Sequence, residues 1–381
     1  MIEKARPARS LALGAILGSL VFFSTGCQKI SKMLVKPPAE GVTHRSYSVL
    51  FSGYEQTVTV HAAPEELLAF LSDPHNWLNI SGTEAARPMT KAQTLEEQMQ
   101  PGNTFPLNVK KMGIEISGRM ILVKATPKEL WFIWDNPQMM QVQRWRFEPA
   151  KEETRLTINL MTEAPKSVLT KVVEETGITG VVCREIDYML ASIQAHFNPS
   201  LNPEELVAKG LRGEFYETLW QVHEVGIWIA PTPEDMIRKL LGSDTLIAVS
   251  TAIQVEGIGE CLYEPENRRR WDNPEDGEPV YCPASVKLAG FEWKVDSFIS
   301  LNPQAAQHLL TAYGVVANIV FRLELAGQPD KGGTRVRLIF AVEPPGATTS
   351  KLMEVFISIS SLPQWMEKAL IELKEKAERV E

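Results

Sequence analysis

Apolar and polar residues alternate along much of this chain, and the period of the alternation changes at a few definite places. Tyr47–Ala62 (YSVLFSGYEQTVTVHA) reads as a strand. The segment after it, Ala63-Pro64-Glu65-Glu66-Leu67-Leu68-Ala69-Phe70-Leu71, reads as a short helix, because proline and carboxylates suit a first turn and the apolar residues then share one face. Between Pro101 and Pro165 the pattern predicts strands at 104–111, 114–125, 129–135, 140–148 and 154–163, separated by Gly113, Thr126-Pro127, Asn136-Pro137 and the polar stretch 149–153. Turns at such regular spacing predict an antiparallel meander. A helical period then runs from near Pro165 to about Phe197, interrupted by Gly177 and Gly180, each of which costs about 1 kcal/mol relative to alanine in a helix interior.

The second half repeats this order. Glu217–Ile229 reads as a strand, and Pro231-Thr232-Pro233-Glu234-Asp235-Met236-Ile237 opens a short helix. Strands follow at 279–288, 290–301, 307–311, 315–326 and 334–343, then a helix from about Thr349 to Arg379. Thr334-Arg335-Val336 and Glu343-Pro344-Pro345 repeat Thr154-Arg155-Leu156 and Glu163-Ala164-Pro165 at an offset of 180 residues. Two copies of one α+β unit, at 45–198 and 214–381, are the economical explanation. The linker 199–213 contains Asn202-Pro203-Glu204-Glu205, which itself looks like a helix start.

The order strand, short helices, antiparallel meander and long C-terminal helix resembles the START-like superfamily, also called SRPBCC or helix-grip. Ala63-Pro64-Glu65, Asp73 to Trp77, the stretch Trp145–Pro149 (WRFEP) and the strand beginning Thr154-Arg155 carry the likeness. It implies two tandem helix-grip domains, each a curved antiparallel sheet wrapped around a long C-terminal helix and leaving a cavity for a lipid or another apolar molecule. Alternation puts Trp145, Phe147, Leu156, Ile158 and Leu160 on the inward side of copy one. In copy two the corresponding candidates are Phe291, Trp293, Val295, Phe321, Leu323, Val336 and Leu338. Trp131, Trp134, Met139 and Met140 add adaptable aromatic and thioether surface. Filling a solid core is the alternative role for every one of these side chains.

The N-terminus changes the cellular picture. Lys4, Arg6 and Arg9 precede the uncharged run 11–23, and Ser24-Thr25-Gly26 brings small residues up to Cys27. This is the grammar of an export signal, and the apolar run is shorter than the roughly 20 residues of a membrane span. Phe23-Ser24-Thr25-Gly26-Cys27 resembles a bacterial lipobox, with Ser24 where leucine is usual. That resemblance implies signal peptide 1–26, lipid on Cys27 and a tether over 27–44. Gln28 after the cysteine then favours the outer membrane, with the protein on its periplasmic face, if the source has two membranes.

At 381 residues and 44% apolar content, the chain has the composition of a packed globular protein. Its net charge is −8, which disfavours nucleic acid as a partner, and charge alone does not attach it to an anionic membrane. The basic run Arg268-Arg269-Arg270 reads as a solvated turn. Cys183 sits in an apolar helical context and reads as a buried thiol, while Cys261 and Cys282 are close enough in sequence to form a disulfide in an oxidising compartment. The spacing of cysteines and histidines gives no metal site, and no sequence feature calls for a cofactor.

His61, His75, His196, His223 and His308 are scattered, with no nucleophile at motif spacing. His61 and His223 fall near the ends of the first strands of the two copies, where a cavity mouth could lie. The paired carboxylates Glu65-Glu66 and Glu152-Glu153 are explained by a helix start and a turn. Three functions remain open: membrane-tethered binding or transfer of a hydrophobic molecule, which the pattern favours; a cyclase- or hydrolase-type enzyme; and an envelope scaffold with filled cores. No protein partner is specified by the sequence.

Overall fold

A strand of 18 residues, β1 (Thr43–Val60), runs through the middle of the protein and belongs to both copies. Its C-terminal part, Phe51–Val60, pairs antiparallel with β7 (Glu153–Glu163). Its N-terminal part, Thr43–Glu55, pairs antiparallel with β8 (Glu214–Ile229), the first strand of copy two. The computed structural model describes residues 37–72, 76, 85–86, 100–111, 114–136, 139–163, 178–211, 213–240, 255–267, 279–288, 291–301, 310–316, 318–344 and 361–378. The expected export signal, Cys27 and most of the tether lie outside the described residues, as do His75, His308 and Arg268–Arg270.

In copy one, α1 (Pro64–Ser72) follows β1, and then come β2 (Ala85–Ala86), β3 (Thr104–Lys111), β4 (Ile114–Thr126), β5 (Glu129–Asn136), β6 (Met139–Ala150) and β7. The copy ends with α2 (Ile178–Phe197), and α3 (Pro203–Lys209) occupies the connection, capped by Asn202, whose side chain accepts from the Glu204 N–H. In copy two, β8 leads to α4 (Pro233–Leu240), β9 (Val255–Glu256) and α5 (Ile258–Tyr263). The meander β10 (Val280–Leu288), β11 (Phe291–Leu301), β12 (Leu310–Val316), β13 (Ile319–Asp330) and β14 (Gly333–Val342) follows, and α6 (Ser361–Glu378) closes the chain. All these strands form one antiparallel sheet in the order β2-β3-β4-β5-β6-β7-β1-β8-β14-β13-β12-β11-β10-β9. The helix-grip unit therefore occurs twice, and the β1–β8 pairing fuses the two sheets into one.

Local chemistry explains the repeat. The hairpin Asp330–Gly333 turns on Lys331 (φ 50°) and Gly332 (φ 82°), a two-residue turn with both central residues left-handed, and the equivalent hairpin Ala150–Glu153 turns on Lys151 (φ 61°). Thr154 Oγ1 donates to the Ala62 carbonyl and Thr334 Oγ1 to the Pro231 carbonyl, each at 2.7 Å. The conserved offset of the two threonines thus pins the same strand-to-helix corner in both copies.

The strands expected at 307–311 and 315–326 are displaced. β12 runs to Val316 and β13 starts at Ile319, with Asn318 left-handed at φ 66°, and Ala312-Tyr313-Gly314 continues the strand. Gly314 is mid-strand because the ring of Phe321 on β13 occupies the place a Cβ would take. The long helices expected from Pro165 and Thr349 are described from Ile178 and Ser361.

One face of the sheet carries the helices. Val58, Leu130, Trp145 and Ile158 bury against Ile186, Leu190 and Ile193 of α2, and Ile227, Val336 and Leu338 against Met366, Leu370 and Leu373 of α6. Each such large side chain, fully buried, contributes roughly 1.5–3 kcal/mol. The opposite faces of the two copies meet each other: Ile121, Ile133, Val142 and Met161 of copy one share a cluster with Phe298, Tyr313, Val315 and Val320 of copy two. Trp220 and Phe51 stack at the joint, with ring centroids 4.1 Å apart.

Candidate functional site

The inner, helix-covered faces are where the sequence places a ligand, and strand register fixes which side chains point there. In copy one, Trp145, Phe147, Leu156, Ile158 and Leu160 all reach the inner face, and each is almost fully buried in one cluster with α2. In copy two, Val336 and Leu338 are buried under α6, and Val295 is buried in a neighbouring cluster with Val316, Ile319 and Val342. Phe321 and Leu323 are only half buried, as is Phe340, which stacks on Phe321 with centroids 5.4 Å apart. Phe291 and Trp293 lie on β11, and their side chains lie outside the described residues. The same is true of Met139 and Cys183.

Two of the supplementary candidates face the wrong way. Trp131 and Met140 alternate out of phase with Trp134 and Gln141, so they belong to the outer cluster between the copies. Trp131 is held there under Arg144, 4.3 Å from the ring centroid, and donates its indole N–H to Glu129. The two histidines expected near a mouth are not equivalent. His61 follows β1 and pairs with Glu153 at 2.7 Å, whereas His223 is inside β8 opposite Ser46, whose hydroxyl lies 2.9 Å from Nδ1. Register places Tyr54, not His61, at the position of His223, since Val60 faces Thr154 as Ile229 faces Thr334. Among the described residues there is no cluster of metal-ligating side chains.

Sequence alternation missed the polar groups on the inner face of copy one. Trp145 Nε1 donates to Gln143 Oε1 at 3.3 Å, Gln143 Nε2 to Gln141 Oε1 at 2.9 Å, and Gln141 Nε2 to Thr162 Oγ1 at 3.2 Å. Trp134 stands directly across from Gln141, belongs to the inner cluster, is 7% exposed, and its buried Nε1 has no hydrogen-bond partner. A second buried group lies between β1 and α2: Tyr54 donates to Asp187, and the Tyr54 oxygen accepts the Gly213 N–H at 2.7 Å. The 180-residue offset was the signal that could have found the ladder, because it sets Gln141, Gln143 and Thr162 against Phe321, Leu323 and Val342.

Cys261 and Cys282 are joined by a disulfide that ties α5 to β10 at the edge of copy two. Among the described residues, Arg144 and Arg322 sit on the outer side of the sheet, paired with Glu343 and Glu163, and leave positive charge at the inner faces sparse. The arrangement suits an apolar molecule with little or no negative charge.

No curated protein matches the chain in sequence. Among solved structures, the di-domain ARO/CYC BexL from the BE-7585A biosynthetic pathway is 15% identical, covering 86% of this chain and 99% of that one, with a TM-score of 0.32. The di-domain ARO/CYC StfQ from the steffimycin biosynthetic pathway is 13% identical over 85% of this chain and 98% of its own, with a TM-score of 0.31. A START superfamily protein from Mycobacterium smegmatis is 15% identical and covers 39% of this chain and 99% of its own, with a TM-score of 0.30. Residues 53–198, copy one from β1 to the end of α2, match the model of the family described as polyketide cyclase / dehydrase and lipid transport.

Proposed function

We propose that this chain is a lipid-anchored protein of the cell envelope that binds or transfers a lipid or another hydrophobic small molecule on the inner faces of its two helix-grip copies. The observation that carries the reading is the half-buried state of Phe321, Leu323 and Phe340 on the face that packs under α6. Apolar surface left in contact with water on a concave, helix-covered face is what a bound apolar molecule replaces. The family description for residues 53–198 includes lipid transport and supports the same reading. Anchoring through Cys27, with 27–44 as tether, 45–198 and 214–381 as the binding domains and the periplasmic face of the outer membrane as the site of action, raises local concentration at the membrane that supplies a poorly soluble ligand.

The test is native mass spectrometry with organic extraction on the full chain, purified gently from its own host. A stoichiometric, non-covalent apolar compound establishes a carrier or receptor. An empty protein that also takes up no apolar photoprobe overturns the reading in favour of a scaffold.

A cyclase-type enzyme is the second reading, favoured by the buried Tyr54–Asp187 pair on the inner face. It requires turnover of the extracted compound that is lost in Tyr54→Phe while the compound still binds.

A further inference from the structure

The two inner faces share a backbone but differ in chemistry at corresponding positions. Gln141 lies between Trp134 and Thr162, and its counterpart Phe321 lies between Gly314 and Val342. Gln143 faces Leu160 where Leu323 faces Phe340, and Gln56 faces Ile158 where Val225 faces Leu338. Copy one therefore carries Trp134, Gln141, Gln143, Thr162 and Gln56 where copy two carries Gly314, Phe321, Leu323, Val342 and Val225. The exchange is coupled, since Phe321 fills the space over Gly314 that a side chain at that position would need.

The direction of the copy-one ladder follows from one group. An indole nitrogen only donates, so Trp145 forces Gln143 to present its oxygen, Gln143 then offers its nitrogen to Gln141, and Gln141 offers its nitrogen to Thr162. Each carboxamide nitrogen uses one hydrogen in the ladder and keeps a second. Beside them Trp134 adds a buried indole N–H with no partner, a group whose desolvation is unfavourable until an acceptor reaches it. Among the described residues of these strands, the buried inner-face polar atom left without a partner is a donor, Trp134 Nε1.

We propose that the inner face of copy one is a hydrogen-bonding subsite for a neutral acceptor oxygen, a ketone, ester or amide carbonyl, of an otherwise apolar ligand, with Trp134 Nε1 as the direct contact. Copy two recognises apolar surface alone. A neutral carbonyl loses its hydration on this apolar face at far smaller cost than a carboxylate would. This inference rests on the proposed ligand-binding function and adds what copy one selects.

A benzophenone photoprobe tests both, because it is apolar, carries a carbonyl and labels the residues around it. The full chain is irradiated with the probe and labelled peptides from β5–β6 and from β13–β14 are quantified. Fluorenone and fluorene, alike in shape but differing in the carbonyl, are then used as competitors. Fluorenone should displace copy-one label at roughly fivefold lower concentration than fluorene, the size of one hydrogen bond to a neutral group. The two should compete equally for copy-two label. In Trp134→Phe, copy-one label and the preference for fluorenone should both fall to the level of copy two, and retained copy-two label reports that the protein is folded. Equal competition by fluorene and fluorenone at copy one of the wild-type chain overturns the subsite even if the variant does not fold. Label confined to copy two also overturns it while leaving ligand binding standing, and absence of specific label in both copies overturns ligand binding itself.

Discussion

Arg322 of the second copy grips Glu163 of the first through two hydrogen bonds, Nη1 to Oε2 at 2.6 Å and Nη2 to Oε1 at 3.0 Å. Glu163 also accepts the Met140 N–H at 3.3 Å, and Glu343 repeats the arrangement with the Val320 N–H at 3.2 Å and the guanidinium of Arg144. Each glutamate thus joins a backbone amide of its own copy to an arginine of the other. Burial opposes the charge on Arg322, but the Glu163 carboxylate outweighs it and holds the guanidinium above its ordinary pKa.

Removing one partner of this pair should therefore be costly. Glu163→Gln is expected to lower unfolding free energy by about 3 kcal/mol, because the guanidinium stays buried with only the longer contact to Glu324, 3.9 Å from Nε, to offset its charge. The double variant Glu163→Gln, Arg322→Met should recover part of that loss, since it also takes the arginine away from Glu324. Glu343→Gln should cost less, since the Arg144–Glu343 side chains are 18% and 11% exposed against 9% and 1% for Arg322–Glu163. Urea unfolding of the four proteins checks the order, and a loss below about 1 kcal/mol for Glu163→Gln would match a solvated surface pair instead.

The sequence candidates for ligand lining divide into two groups with different expected costs. Phe147 is 1% exposed within the copy-one core, so Phe147→Ala should destabilise by about 3–5 kcal/mol through lost transfer energy and a cavity. Phe321 is half buried, and Phe321→Ala should cost about half as much or less while weakening uptake of an apolar probe. Comparable losses for the two, without change in uptake, would mean that copy two is as solidly packed as copy one.

Alternation and the 180-residue offset made the meander, the duplication and the inner-facing set Trp145 to Leu160 legible in the sequence. The repeated threonines and glutamates stood out for reasons the sequence did not disclose: Thr154 and Thr334 close a local corner, whereas Glu163 and Glu343 bond across copies. The glutamine ladder escaped because Gln141 and Gln143, although inside the strand expected at 140–148, are polar, and alternation identifies an inward face by its apolar residues alone. Gly314 fell in the gap between the strands expected at 307–311 and 315–326, because its reason for being in a strand, the ring of Phe321, comes from the neighbouring strand. Fusion of the two sheets through β1 and β8 depends on a pairing of segments about 170 residues apart, which no local pattern reports.

Alkaline pH should expose the contact between Tyr281 and Asp296. Burial first, then the hydrogen bond to Asp296 at 2.9 Å and the charge of that carboxylate, push the tyrosine up to about 12 from 10.0. Because the folded pKa is the higher one, this contribution to stability is complete below pH 10.0 and is lost as pH rises towards about 12. Tyr47 and Tyr216 are also raised, mainly by burial, so the difference between wild type and Tyr281→Phe isolates the residue. Urea midpoints should fall more steeply for the wild type than for the variant across that interval, and parallel curves would remove Tyr281 as the cause.

Export and anchoring make a joint expectation for the cysteines. If the chain matures outside the cytoplasm, the Cys261–Cys282 disulfide, 21 residues apart in sequence, persists there and stabilises copy two by about 3 kcal/mol in the loop-entropy model. Rapid alkylation of intact cells should then leave Cys261 and Cys282 unmodified until reductant is added, and metabolic labelling with a fatty acid should mark Cys27. Cys27→Ser should abolish the fatty-acid label and release the protein from the membrane fraction, because a single acylated residue carries the attachment and the net charge of −8 supplies no electrostatic substitute. A Cys27→Ser protein that stays membrane-bound with a signal still uncleaved would show retention by the apolar segment 11–23, and one that stays bound after cleavage would place the membrane contact on the folded copies themselves.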